Sequence, residues 1–164
     1  MNLYGVIKLL HIIAAIVFVG GLFGRQLIRA YAKNMDDVRD FAVLSHAAGR
    51  IENFMVIPGN LAVILLGVIL ALMSGYPIFG FLQGAAQNWL LVSNILLVLG
   101  ILAVPLVFVP RGKKFDLVLK NALAQERMMP ELRAALDDKL IRLLHTLEII
   151  MVILVVVLMV LKPF

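Results

Sequence analysis

The segment from Asn53 to Pro110 reads NFMVIPGNLAVILLGVILALMSGYPIFGFLQGAAQNWLLVSNILLVLGILAVPLVFVP, and its 58 residues include no Lys, Arg, Asp or Glu. One helical crossing of a bilayer needs about 20 apolar residues. The segment is therefore long enough to cross twice. Glycine and proline at 74–77 (Ser-Gly-Tyr-Pro) favour a short turn between the two crossings. The segment predicts a pair of antiparallel membrane helices.

The composition of the whole chain supports a membrane protein. Of its 164 residues, 63% are apolar and 15% are charged, and the mean hydropathy is +1.04. A soluble domain carries roughly 45–50% apolar and about 25% charged residues. The chain has no cysteine, which excludes disulfides, thiolate metal sites, iron–sulfur clusters and cysteine nucleophiles. It also lacks a phosphate-binding loop, a catalytic triad and a zinc protease signature, so an enzymatic role is not favoured.

Two further apolar stretches flank the central segment, one near each end of the sequence. We therefore expect four transmembrane helices, over residues 3–24, 51–73, 89–109 and 143–161. They predict an all-α fold, an integral membrane four-helix bundle that forms a single domain.

The basic residues predict the orientation of this bundle. Segments 25–50 and 111–142 hold 13 of the 15 Lys and Arg residues, and only Lys8 and Lys162 lie elsewhere. By the positive-inside rule, both segments are cytoplasmic and both termini are outside, in a bacterial inner membrane. Nucleic acid is a poor alternative partner, because the cations are divided between juxtamembrane segments and interleaved with acids.

Both cytoplasmic segments carry helical patterns. Asp36 and Asp37 suit the start of a helix that runs into span two, and Pro130 suits the first turn of a helix that continues into span four. The apolar stripe over 115–123 predicts a short helix on the membrane surface. On span one, Gly20 and Gly24 form a small-residue face that Gly21 widens, which favours close helix packing. Together with the helical extensions, this face favours contacts with other membrane subunits or a second copy.

Three histidines are the main candidates for cofactor binding. His11 lies about 12 Å from the outer end of span one, where a polar side chain is costly. His46 and His145 lie at similar depth near the cytoplasmic surface. A haem between two helices needs axial groups that face each other, which His46 with His145 could supply. His11 would act alone or with another partner. The alternative for His46 and His145 is an interfacial anchor or a hydrogen bond to a neighbouring helix.

Glu148 follows His145 by three residues, so both lie on one face of the fourth helix. A His-x-x-Glu pair is a metal-site element in some helix bundles, but here it has no second copy. We expect instead a structural ion pair of Glu148 with Arg50 or Arg142, and consider a proton relay as a further alternative.

The other polar candidates within the spans are Lys8, Glu52, Asn53, Asn60 and Asn94. We expect Asn60 and Asn94 to hydrogen-bond across helices. The eight methionines are scattered along the sequence, which favours gap filling rather than a copper site. No metal site is therefore predicted apart from haem iron.

Three parts of the sequence carry a resemblance to a known family. They are Leu9–Ala15 running to Gly20–Gly21, then Gly75–Pro77 with Trp89–Leu91, and finally Leu158–Pro163. Together they resemble a bacterial family of predicted four-helix integral membrane proteins of unknown function.

That family is similar to the membrane domain of copper-resistance protein D and to the HemJ protoporphyrinogen oxidases. The HemJ-like features are Lys8–Ile13, the following Gly21–Phe23 and the final Lys162–Phe164. The resemblance implies that His11 is a haem ligand. The chain has Thr146–Ile149 where HemJ has an Asn-Glu-Val-Pro motif, so the resemblance implies a haem-binding bundle rather than the oxidase activity.

The sequence thus leaves three functional hypotheses. The first is a membrane protein that binds b-type haem for electron transfer or for tetrapyrrole or respiratory chemistry. The second is a non-catalytic subunit or assembly factor of a larger membrane complex. The third is a small copper- or proton-handling protein, in which Asn60, Asn94 and Glu148 would line the path.

Overall fold

The computed structural model describes residues 2–163, which form helices and turns without a strand. Two π-helical segments occur, at Glu52–Val56 and Val104–Phe108. Each joins the α-helices on either side of it into one continuous rod of 36 residues. The α-helices are α1 (Leu3–Ala32), α2 (Val38–Ile51), α3 (Ile57–Met73), α4 (Trp89–Ala103), α5 (Val109–Ala124), α6 (Pro130–Leu136) and α7 (Lys139–Leu161). The four rods α1, α2–α3, α4–α5 and α6–α7 are long and apolar enough to cross a membrane. The predicted all-α membrane four-helix bundle is confirmed.

The rods extend beyond the predicted spans, as the capping residues indicated. Asp37 caps α2 by accepting hydrogen bonds from the backbone N–H of Arg39 (2.6 Å) and Asp40 (3.3 Å). Pro130 occupies the first turn of α6. The fourth rod is interrupted between α6 and α7, where Asp138 caps α7.

The prediction of a surface helix over 115–123 is wrong. This segment is part of α5, which continues from α4 through the π-helical segment. Its apolar stripe packs against α2 and α6, where Leu119 joins Phe41 and Leu132 in a buried core. The stripe meets protein rather than lipid because α2 presents an equally apolar face at the same level. Here the three helices build a cap at the end of the bundle that we call the loop end.

Within the bundle, α1 packs most closely against α2 and α3, whereas α4 packs against α7. Gly21 allows the first contact, because a Cβ at this position would lie 2.8 Å from Cβ of Met55. Of the three glycines in the predicted packing face, Gly21 alone makes a close contact among residues 2–163. An added Cβ at Gly20 meets nothing within 4 Å, and one at Gly24 meets only Ile51 at 3.9 Å.

The two helix pairs are α1 with the α2–α3 rod, and α4 with α7. They are joined at the opposite end of the bundle, here called the terminal end because α1 begins and α7 ends there. The rings of Tyr76 and Trp89 meet edge to face at 5.3 Å, and Lys162 Nζ donates to the Tyr76 hydroxyl at 2.7 Å. Beneath them is a small apolar core formed by Ala71, Trp89, Leu90 and Leu158. This core links α3 to α4 and α7.

Proline explains the two π-helical segments. Pro58 and Pro105 lack the N–H that an α-helix would use, and their rings crowd the preceding turn. In the first segment the helix widens by one residue, so Ile57 N–H bonds to the carbonyl of Glu52. Val109 makes the corresponding bond in the second segment. The widened turns contain Glu52, which pairs with Arg25, and Phe108, which stacks on His145.

Candidate functional site

A cleft of about 700 Å³ lies between the two helix pairs. Nineteen residues from α1, α3, α4, α7 and the loop at Ile78 line it, and all but His11 and Asn94 are apolar. Small-molecule sites are usually clefts of about 300–1,000 Å³ with mainly apolar walls and a few polar groups. The cleft therefore has the size and lining of a binding site for a largely apolar molecule.

His11 enters the cleft from α1 and lies against the backbone of α3. A Cβ on Gly67 would come within 3.1 Å of Cε1 and 3.6 Å of Nδ1 of the His11 ring, so glycine permits the close approach and a larger residue would push the ring away. The Nδ1 atom is buried there, and within residues 2–163 it has no hydrogen-bond partner. The ring thus packs against α3 on its Nδ1 side.

Asn94 enters the cleft from α4. Its Nδ2 donates to the carbonyl of Ile78 in the loop before α4, at 3.2 Å. The expected bond across helices is therefore replaced by a bond to the preceding loop. Within the described residues no group donates to the Asn94 amide oxygen, so this acceptor is available to a ligand in the cleft.

A second group of polar residues lies nearer the loop end, where Arg25 is only 2% exposed. Its guanidinium bridges the carboxylates of Glu52 and Glu148, which belong to different helix pairs. Arg29 lies 3.7 Å from Glu52 and 3.0 Å from Nε2 of His145. We call these five residues the Arg25 cluster. Two arginines balance two glutamates, so the cluster is neutral when His145 is neutral.

The hydrogen bonds of the cluster fix the tautomer of His145. Arg29 can only donate, so Nε2 of His145 must accept from it at 3.0 Å. The proton then lies on Nδ1, which donates to Glu148 at 3.3 Å. The ring also stacks on Phe108, with 4.9 Å between the ring centroids. Both nitrogens are used, and neither offers a free lone pair to a metal.

The structure therefore does not form the predicted pair of His46 and His145. His46 is exposed on α2 and lies outside both the cleft and the cluster. His11 is the one histidine among the cleft residues. Similar depth along two helices did not place the rings face to face, because depth says nothing about the direction in which a side chain points.

The contacts of Glu148 and Asn60 in the structure also differ from those expected from the sequence. Glu148 pairs with Arg25 rather than with Arg50 or Arg142, and Arg142 instead bonds to Asp137 at 3.2 Å. Asn60 lies outside the cleft, and its buried Oδ1 has no hydrogen-bond partner in the part of the chain that the structure describes. The three residues of the hypothetical copper or proton path are consequently not aligned, since Asn94 alone lines the cleft.

Sequence reasoning missed Arg25 and Gly67, and it included Glu52 among the polar candidates without a partner. Arg25 was visible as the charge that ends the first predicted span, but nothing in the sequence shows which helix it would face. Gly67 had a weaker signal, a glycine at a mid-span position of a helix, where glycine often marks a close approach.

At the loop end, outside the apolar stretch 143–161, Asp138 accepts from the backbone N–H of Leu140 (2.9 Å) and Ile141 (3.2 Å) and pairs with Arg111. Desolvation raises the pKa of Asp138, but these two hydrogen bonds and the Arg111 charge outweigh it, so the pKa lies below its ordinary value. The carboxylate is therefore a pH-sensitive cap of α7.

Haem needs an apolar cleft and at least one axial side chain such as histidine. The cleft supplies both, with His11 as the axial candidate and its Nδ1 buried beside Gly67 of α3. No group of three His, Cys, Asp or Glu residues that could hold a metal ion occurs in residues 2–163.

Comparison with known proteins agrees with the architecture. Residues 5–163 match the family model described as predicted integral membrane protein (DUF2269). No curated protein and no solved structure matches the chain. The match spans nearly all of the sequence, so the chain belongs to the DUF2269 family of predicted integral membrane proteins.

Proposed function

We propose that this membrane protein binds one b-type haem in the cleft between its helix pairs, with His11 as the axial ligand. The observation that carries the proposal is an apolar cleft of about 700 Å³ whose one histidine packs closely against Gly67 of α3. The resemblance of Lys8–Ile13 to the start of HemJ proteins supports the same residue. A bound haem supplies one-electron chemistry, and the chain supplies the apolar surroundings and the axial nitrogen.

The proposed setting is a bacterial inner membrane, with both termini outside. The basic residues at the loop end support this orientation.

The test is an absorption spectrum of protein expressed with ample haem and purified in mild detergent, first oxidised and then reduced with dithionite. We expect a Soret band and a sharp α band on reduction. His11→Ala should remove both bands, whereas His46→Ala, at an exposed position, should keep them. A featureless spectrum of the unmodified protein, or full haem loading of the His11→Ala variant, contradicts the proposal.

A second function, subunit or assembly factor of a membrane complex, has one observation in its favour. The cap of α2, α5 and α6 at the loop end has its own buried core and adds surface outside the apolar spans. This role predicts that the protein is recovered with a larger complex, at native expression in mild detergent. A featureless haem spectrum together with such recovery would favour it.

A further inference from the structure

The cleft is closed at both of its ends. Toward the loop end, Val152 of α7 packs against a core of Phe18, Leu22 and Val56, and the Arg25 cluster lies beyond it. Toward the terminal end, the core beneath Tyr76 and Trp89 joins α3, α4 and α7. A molecule dissolved in water on either side would have to pass one of these two packed layers.

The side of the cleft between α1 and α7 is open. On α1, the cleft residues Ile12 and Ile16 are 46% and 66% exposed, and on α7, Val156 and Val160 are 47% and 73% exposed. On α3 and α4 the cleft residues are buried or half-buried, apart from Val68. The exposed residues form the two rims of a lateral opening. All four rim side chains are apolar, as they would be where the hydrocarbon of the bilayer meets a protein.

We infer that the cleft takes its ligand from the hydrocarbon layer of the membrane, through the opening between α1 and α7. The ligand class is a small bilayer-dissolved molecule: an apolar body, with one polar group that can meet His11 or the free Asn94 oxygen. This inference rests on the proposed function in taking the cleft as a binding site, but it does not require that the ligand is haem.

Physical constraints restrict the occupant further. If the cleft were empty, its walls would lose the van der Waals contacts that side chains make in a packed interior. Water is a poor substitute, because apolar cavities tend to stay dry. A transmembrane helix of a partner is too long, because it extends over about 30 Å. The cleft follows α1 over only about 14 Å and is closed at both ends. A single chain or a flat ring fits.

The experiment uses fluorescence quenching by lipids with brominated acyl chains. Trp89 is the one tryptophan of the chain, so Trp89→Phe gives a background without tryptophan. Leu97→Trp then places a reporter in the cleft, and Val98→Trp places one on the 53% exposed outer face of the same helix. In vesicles of brominated phosphatidylcholine, both reporters should be quenched to within about a factor of two of each other.

Two pairs of substitutions test the route. Phenylalanine at both Ile12 and Val156 narrows the opening and should reduce quenching of the Leu97→Trp reporter at least twofold. Phenylalanine at both Ile13 and Ile153, which are exposed but outside the cleft, should leave it unchanged. Quenching of Val98→Trp should respond to neither pair. Met159→Trp provides a second reporter in the cleft, on α7, if the first variant does not fold.

Three results would overturn the inference. One is a cleft reporter that brominated lipid leaves unquenched while Val98→Trp is strongly quenched. Another is quenching of the cleft reporter by aqueous iodide, which would show a route from water. The third is protection of the cleft reporter from lipid quenching that increases with the protein-to-lipid ratio. Such protection would show that a second copy of the chain covers the opening. Because no haem is added, failure here is separate from the outcome of the haem spectrum.

Discussion

At the scale of single residues, the positions that organise the two polar sites are a glycine and an arginine. Gly67 permits the His11 ring to lie on the α3 backbone, and Arg25 links two carboxylates from different helix pairs. Gly67 acts through the side chain that it lacks, and Arg25 acts through a charge that two carboxylates share. Both residues contact their partners closely and away from water, so solvent cannot compensate for an added methyl group or a lost charge.

Replacing Gly67 by alanine should displace His11. The added Cβ would lie 3.1 Å from the imidazole, so the ring must move away from α3. We expect haem loading, measured as haem per protein after purification, to fall several-fold. Gly100→Ala is the control, since its Cβ meets nothing within 4 Å and alanine favours the helix by up to about 1 kcal/mol. Equal loading of the two variants would argue against His11 as ligand.

Replacing Arg25 by methionine should destabilise the bundle. It leaves the Glu52 and Glu148 carboxylates without their main partner, and breaking a buried pair costs about 3–5 kcal/mol. The expected loss is near the lower limit because the two carboxylate side chains are 28% and 23% exposed. Thermal unfolding in detergent measures it.

The control for Arg25 is the exposed pair of Arg39 and Glu126, in which both side chains are 68% exposed. Arg39→Met should cost less than about 1 kcal/mol. Adding Glu52→Gln and Glu148→Gln to the Arg25 variant should recover part of the loss. No recovery would mean that packing of the long side chain, rather than its charge, stabilises this region.

At the scale of elements, helix ends and helix irregularities position the charged groups. The π-helical segment before Pro58 begins at Glu52 and turns this residue toward Arg25. The second segment ends at Phe108, which stacks on His145. Irregular turns of this kind are frequent at functional sites, because they re-aim side chains that a regular helix would direct elsewhere.

Asp138, the N-cap residue of α7, should make the free energy of unfolding depend on pH. The folded-state pKa of Asp138 lies below its ordinary value near 3.9, so its contribution is complete above that value. It is lost as the pH falls through the folded-state pKa. Asp138→Ala should cost about 1 kcal/mol at neutral pH, whereas Asp138→Asn keeps a cap that does not titrate.

Thermal unfolding of the natural protein and of Asp138→Asn between pH 7 and pH 3 isolates this effect. The advantage of the aspartate should shrink toward the acid end of the range, and hydrogen exchange of the Leu140 amide should accelerate in parallel. A constant difference between the two proteins across the whole range would contradict the role of Asp138.

At the scale of the whole molecule, two helix pairs are joined at their ends and separated between them. The Arg25 cluster joins α1 to α7 near the loop end, and Lys162 with Tyr76 joins α7 to the loop after α3 at the terminal end. This arrangement keeps a cleft open in an otherwise packed bundle, and it places that cleft beside the lipid.

The predicted orientation can be tested with the natural chain as background, because it contains no cysteine. Ala86→Cys lies in the exposed loop at the terminal end, and Lys120→Cys is exposed at the loop end. In intact spheroplasts, a membrane-impermeant maleimide should label Ala86→Cys and should reach Lys120→Cys only after lysis. The reverse pattern would place the loop end outside.

The sequence alone determined the architecture, because hydrophobic stretches, helix caps and prolines act locally along the chain. The uncharged segment 53–110, the cap at Asp37 and the helix start at Pro130 each correspond to a feature of the structure. His11 was also identifiable, since a histidine deep in an apolar span is costly without a role.

Only the tertiary structure decided which side chains meet. It directed the apolar stripe of α5 to protein rather than lipid, paired Glu148 with Arg25, and engaged both nitrogens of His145. It also opened the cleft around His11. The physical reason is that spacing along a helix gives the depth and face of a residue, whereas the rotation and packing of separate helices determine what that face contacts.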